Sequence, residues 1–204
     1  LDGSLKEPVI DDRSCIPEEI RFYEASSPRK INGLYYLIYS PRKGSRLAYA
    51  TSESPTGPFT YRGYIIDNGV DYPAGNNHGS VCNINGQWYV FYHRMTNHSI
   101  MSRRACVEKI EILPDGTIPP VEMTSLGFED ALNPYKLIPA EIACVLKGDG
   151  YIIEKDAFTR VITNIKADNV IGYKYFDFGQ DYGTRIMLLA LNIKGTGSNS
   201  IVHV

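Results

Sequence analysis

The chain has 204 residues, 43% of them hydrophobic and 22% charged, with a formal net charge of -2 and a pI near 6.1. That balance fits an ordinary globular protein and speaks against a nucleic-acid partner, which calls for a basic patch. No apolar run approaches the ~20 residues that span a bilayer, so no membrane partner is expected.

Leu1 to Arg13 is a mixed-charge stretch and does not read as a signal peptide. Pro17 to Arg21 is the one weak helical candidate. Beyond it the text is strand-like. Ser26 to Ile31 is a short strand, Asn32-Gly33 a type I′ hairpin turn, and Leu34 to Tyr39 an aromatic and β-branched strand. Arg46 to Thr51 is a third strand. A turn at Ser54 to Pro58 leads into a fourth, Phe59 to Ile66.

The pattern then repeats. Ile31-Asn-Gly-Leu-Tyr-Tyr-Leu-Ile-Tyr39 returns as Ile84-Asn-Gly-Gln-Trp-Tyr-Val-Phe-Tyr92, an offset of 53 residues. Ser80 to Ile84 precedes the second turn. Arg103 to Leu113 and Thr117 to Met123 follow as its third and fourth strands. Four short antiparallel strands per roughly 50 residues is the signature of a β-propeller blade. Two blades cannot close a propeller, and the chain lacks an initiator Met, so a piece of a longer protein is expected.

Gly127 to Pro139 reads as a linker. Pro139 to Ile142, Ile171 to Gly179 and Arg185 to Ala190 read as strands of a second, partial β-sandwich. The expected organisation is all-β. Residues 1–126 form propeller blades, 127–138 a linker, and 139–204 the start of a jelly-roll.

Composition adds two further readings. Fifteen tyrosines suit pleated, half-buried strands, and exposed rings among them suit the C–H faces of sugars. None of Cys15, Cys82, Cys106 and Cys144 forms a CxxC pair, so buried free thiols are expected, with a disulfide left open.

Aligning the two repeats on their Asn-Gly turns sets Glu24 opposite Asn77 and Ala25 opposite His78. In a propeller the innermost strand of each blade starts near the axis, where ligands sit. Glu24 and His78 are therefore axial candidates. Glu24 stands among Phe22, Tyr23 and Ala25, and loss of solvation there is expected to raise its pKa, as a general acid requires. An exposed strand-start glutamate fits the same local text. His78 lies in Gly75-Asn-Asn-His-Gly-Ser80, where small residues allow close backbone approach, and a hydrogen-bonded structural histidine fits equally. His93 at a strand end and His98 in a polar loop are weaker candidates.

Taken together these segments resemble the family 43 glycoside hydrolases. The resemblance is carried by Phe22-Tyr-Glu-Ala-Ser-Ser-Pro-Arg-Lys-Ile-Asn-Gly-Leu-Tyr-Tyr-Leu-Ile-Tyr-Ser40, Leu47 to Ser52, Gly57-Pro-Phe59, Gly75 to Ser80, Trp88-Tyr-Val-Phe-Tyr-His-Arg94, Ser102-Arg103 and Asp115 to Thr124. It implies a five-bladed propeller acting on arabinose- or xylose-containing oligo- and polysaccharides by an inverting mechanism. In such a mechanism an acid and a base stand roughly 6.5–9.5 Å apart. Glu24 matches the acid, His78 the axial histidine near a central Ca2+ ion, and Arg103 a basic residue of the substrate pocket, with Asn77 beside them as a substrate contact. Neither the base nor the carboxylate that orients the acid is matched by Asp2, Asp11 or Asp12. The 204-residue chain alone is therefore expected to lack hydrolase activity. The text after Pro139 resembles the start of a family 6 carbohydrate-binding sandwich. A non-catalytic sugar-binding protein and a protein-interaction propeller are the other readings.

Overall fold

Both Asn-Gly pairs turn the chain as expected. Asn32 and Gly33 have φ of 49° and 88°, and Asn85 and Gly86 of 52° and 91°. These are the left-handed values that a type I′ turn needs at both central positions. The structure, a computed structural model, describes residues 16–179, 187–195 and 201–204.

Around the first turn, β1 (Phe22–Ile31), β2 (Leu34–Pro41), β3 (Arg46–Ser52) and β4 (Thr60–Asp67) form one antiparallel sheet in sequence order. Around the second, β5 (Ser80–Ile84), β6 (Gln87–Thr96) and β7 (Ser99–Ile110) form another. The architecture is all-β. Pro17 to Arg21 makes a single turn, with Ile20 and Arg21 both donating to the Pro17 carbonyl, and no helix.

The second sheet has three strands, and the fourth expected at Thr117 to Met123 does not form. Pro119 and Pro120 explain why, since neither carries the N–H that a ladder requires. The segment instead crosses the first sheet by isolated bonds. Tyr36 Oη donates to the Gly116 carbonyl at 2.8 Å. Ile118 N donates to Tyr49 Oη at 2.8 Å, and Val121 N to the Ile65 carbonyl at 2.8 Å. It then returns to the second sheet, where Thr124 N and Oγ1 donate to the Glu108 carboxylate at 2.8 and 2.6 Å.

The tail also departs from expectation. Ala140–Ile142 is a single 3-10 turn rather than a strand. Two short ribbons follow: β8 (Val145–Lys147) pairs with β11 (Val170–Gly172), and β9 (Tyr151–Glu154) with β10 (Arg160–Thr163). Of the stretch Ile171 to Gly179, only the first two residues lie in a strand. Residues 180–186 are outside those described, and Met187 to Ala190 are unpaired.

The described tail has no separate core. Tyr36, Ile38, Leu47, Tyr49 and Ile65 from the first sheet, Val81, Val90, Tyr92 and Ile110 from the second, and Cys144, Leu146 and Ile152 from the tail belong to one buried cluster. Described residues beyond the expected linker at 127–138 thus contribute to the same buried cluster as the two sheets. Of the cysteines expected to be buried, Cys144 is, Cys106 is half-buried and Cys82 is exposed. All three are free thiols, and Cys15 lies outside the described residues.

Arg94 on β6 joins tail to sheet. It is 8% exposed, stacks over Tyr72 at 4.8 Å, donates to the Ala143 carbonyl at 2.5 Å and also donates to the Glu141 carbonyl. A guanidinium can serve two carbonyls and a ring face at once, and an ammonium cannot. Arg94→Ala in the full-length chain is expected to cost about 3 kcal/mol, since it strands buried carbonyls that accepted from a charge. Arg94→Lys should recover only part of that. Urea denaturation midpoints of the three proteins measure it.

Candidate active site

The first strand of each sheet opens toward the other. At the start of β1 the pairing with β2 slips. Phe22 faces Pro41, Glu24 faces Ser40, and the next regular pair is Ser27 with Ile38. Ala25 and Ser26 thus form a bulge, and Ala25 holds a left-handed φ of 61°. An L-residue there carries strain on the order of 1 kcal/mol, and bulges of this kind re-aim side chains. The bulge sits immediately after Glu24.

The opposing loop, residues 75–79, is held from inside. Asn77 is 1% exposed, and its Nδ2 donates to the Ser45 carbonyl at 3.3 Å and to Asn68 Oδ1 at 3.2 Å. Ser40 Oγ donates to the Asn77 carbonyl. Asn68 Nδ2 donates to the His93 carbonyl at 2.8 Å. At Gly79 any Cβ would collide with the Phe91 carbonyl oxygen, so only glycine lets the backbone pass.

Those two devices bring Glu24 and His78 together. Glu24 Oε1 accepts from His78 Nε2 at 2.8 Å and from Asn76 Nδ2 at 3.0 Å. Arg103, exposed on β7, places Nη1 3.5 Å from His78 Nδ1 and donates from Nε to the Ile100 carbonyl at 3.3 Å. A guanidinium facing Nδ1 requires a lone pair there, so the ring proton sits on Nε2 and points at Glu24. Beneath them His93, 9% exposed, meets the His78 ring edge-on at a centroid distance of 5.3 Å.

Three of the four residues expected at the site therefore converge: Glu24, His78 and Arg103. Asn77 does not reach the surface. Its amide nitrogen is engaged inside the fold, and Asn76 contacts Glu24 in its place. The strand-like period of two was the available signal, because residues 76 and 78 share a side of an extended chain and 77 takes the other. His93, a weaker candidate expected at a strand end, lies inside β6 instead.

The expected rise in the pKa of Glu24 is reversed. Its carboxyl is held below the usual range, first by the His78 hydrogen bond and then by that of Asn76. Desolvation still pushes it upward but is outweighed by those bonds, the glutamate side chain being 39% exposed.

The described residues do not fit a calcium shell. Ca2+ takes six to eight oxygens, roughly. Here one carboxylate is present, both His78 nitrogens face protein partners, and no cluster of three or more His, Cys, Asp and Glu stands together among the described residues.

His93 has no protein partner at either ring nitrogen among the described residues, and its pKa is pushed down to about 4, mainly by burial and then by Arg103 and His78. The neutral ring is favoured in the fold, whereas the unfolded chain protonates near the ordinary histidine value of about 6.5. Its contribution is intact above about pH 6.5 and drains away as pH falls toward 4, by on the order of 2 kcal/mol. His93→Leu is expected to flatten that part of the acid loss. Melting temperatures of both proteins from pH 7 to 4 test it.

The model of the glycosyl hydrolases family 43 matches residues 4–118. A xylosidase/arabinosidase from Thermoclostridium stercorarium is 40% identical over 217 residues, spanning 85% of this chain and 45% of that protein. Such a share cannot fit within residues 1–126, so the likeness runs into the tail. Among solved structures, a family 43 β-xylosidase/α-arabinofuranosidase from a compost microbial metagenome, complexed with xylotriose in a calcium-free form, is 38% identical. It covers 50% of this chain and 31% of its own, with a TM-score of 0.45. A family 43 arabinoxylan arabinofuranohydrolase from Bacillus subtilis, complexed with cellotetraose, is 29% identical over 78% of this chain and 37% of its own, with a TM-score of 0.48. The chain spans less than half the length of these relatives.

Proposed function

The chain belongs to glycosyl hydrolase family 43, and on that premise we propose that the whole enzyme hydrolyses arabinose- or xylose-containing oligo- and polysaccharides, with Glu24 as its general acid. The observation that carries this reading is the carboxylate itself. A strained bulge aims it, and two donors from the loop before β5 fix one of its oxygens.

The relatives' names support the substrate class, α-L-arabinofuranoside or β-xyloside. In the inverting scheme Glu24 protonates the leaving oxygen while a second carboxylate activates water from the opposite face. Arg103 and His78 line the acid's side, and Arg103 has an exposed guanidinium free to meet sugar hydroxyls.

The electrostatics of this half-site support a reading of what the other half supplies. His78, Asn76 and Arg103 all favour the ionised form of Glu24. A proton donor working near neutral pH needs the opposite bias, and a nearby negative charge provides it. We place both the base and an orienting carboxylate outside the described residues, facing the open side of Glu24. The two sheets are proposed as two blades of a five-bladed propeller. The start of a carbohydrate-binding sandwich is proposed within residues 139–204, whose first ribbons share the blades' core. No step is assigned to calcium.

In the full-length enzyme, Glu24→Gln is expected to lower kcat/KM on a xylo-oligosaccharide or arabinoxylan substrate by about 10²–10⁴-fold, with binding of the sugar retained. Steady-state kinetics and calorimetric titration read the two quantities. Unchanged turnover in the variant would remove Glu24 from the mechanism. Sugar binding without turnover in the unmodified enzyme would favour a non-catalytic carbohydrate-binding protein.

A further inference from the structure

Glu24 has two carboxylate oxygens, and the described residues treat them differently. Oε1 accepts from Asn76 Nδ2 at 3.0 Å and from His78 Nε2 at 2.8 Å, and no described residue bonds Oε2. The Asn76 and His78 nitrogens are 3.2 Å apart. With the ring proton on Nε2, this approach is two donors sharing one acceptor. An oxygen receiving two N–H donors has no room for a proton of its own, so the carboxylic acid hydrogen belongs on Oε2.

Asn76 is built for that single contact. Asn77 and the close passage at Gly79 anchor the loop after it, and before it a Cβ at Gly75 would run into the Met95 side chain. Its own Oδ1 is buried with no protein partner among the described residues, so the amide donor is the part of the side chain that the fold employs.

We propose that Asn76 is a positioning residue for the acid: together with His78 it pins Glu24 Oε1 and turns Oε2, the proton-bearing oxygen, toward the glycosidic oxygen. This rests on the reading of Glu24 as general acid. As the glycosidic C–O bond breaks, its electron pair goes to the leaving oxygen, and the Oε2–H proton moves to that oxygen. Water adds to the sugar carbon and gives its proton to the base carboxylate. The charge left on Glu24 then falls on a group already met by two donors at Oε1. Donors set in advance where charge develops lower the barrier without rearranging. Asn76 touches neither sugar nor water in this scheme and acts only through Glu24.

Leaving-group dependence separates positioning from a structural role. A dinitrophenyl glycoside departs without being protonated, and a phenyl glycoside or xylo-oligosaccharide does not. In the full-length enzyme, Asn76→Ala is expected to lower kcat/KM about 100-fold on the unactivated substrate and by less than about 3-fold on the activated one. Equal losses on both substrates, or no loss on either, would overturn the proposal. Asn76→Leu, of similar size and without charge, is read in the same way should the alanine variant fail to fold. Glu24→Gln on the same two substrates is the control. If it lacks leaving-group dependence, Glu24 is not the acid and the underlying reading fails. If it shows the dependence and the Asn76 variants do not, only the positioning role fails.

Discussion

A carboxylate on one sheet meets an imidazole from the other across 2.8 Å, and the distance depends on a buried amide that touches neither. Asn77 sits between the sheets, with its side chain on Ser45 and Asn68 and its carbonyl taken by Ser40. Asn68 in turn holds the His93 carbonyl on β6. Apolar packing alone sets sheets at a typical separation but not to a fraction of an ångström. A chain of directional bonds in a low-dielectric interior does, because each misplacement leaves a buried polar group unpaired. The loop that carries Asn76 and His78 is therefore part of the core, although its functional face is open to solvent.

Local chemistry was legible in the sequence and non-local chemistry was not. The Asn-Gly turns and the strands beside them follow from backbone preferences within a few residues, and they came out as expected. The fourth strand of the second sheet failed at Pro119 and Pro120, where a missing N–H outweighs a strand-like pattern. The repeat set Glu24 opposite Asn77 and Ala25 opposite His78, and the fold brings the Glu24 and His78 side chains together. Asn76 rather than Asn77 faces Glu24, in keeping with the alternation of an extended chain. The direction of the Glu24 pKa was misjudged because Phe22 and Tyr23 are its neighbours in sequence, while His78 and Asn76 are its neighbours in space. The tail's packing was hidden for the same reason: nothing local in Cys144, Leu146 or Ile152 says that they share a core with the two sheets.

The charge pattern of the site is lopsided. One carboxylate faces an imidazole, an amide and a guanidinium, with no second carboxylate among the described residues to balance them. Such an arrangement suits the acid after it has given up its proton better than before. Opposing carboxylates across the pocket would restore the balance and would also divide the work, with one set of groups raising the proton affinity and the other steadying the product anion.

The attachment of the tail bears on how this protein breaks. Phe128, Tyr135 and Leu137 lie exposed on the strap between the second sheet and the ribbons, where a protease finds ready access. A single cut in that strap would sever the backbone and little else. Arg94 would still grip the Glu141 and Ala143 carbonyls, Leu146 N would still donate to the Asp71 carbonyl at 2.8 Å, and Lys174 would still bridge Glu122 and Asp71. The nicked molecule would run as two bands on a denaturing gel and travel as one particle in solution.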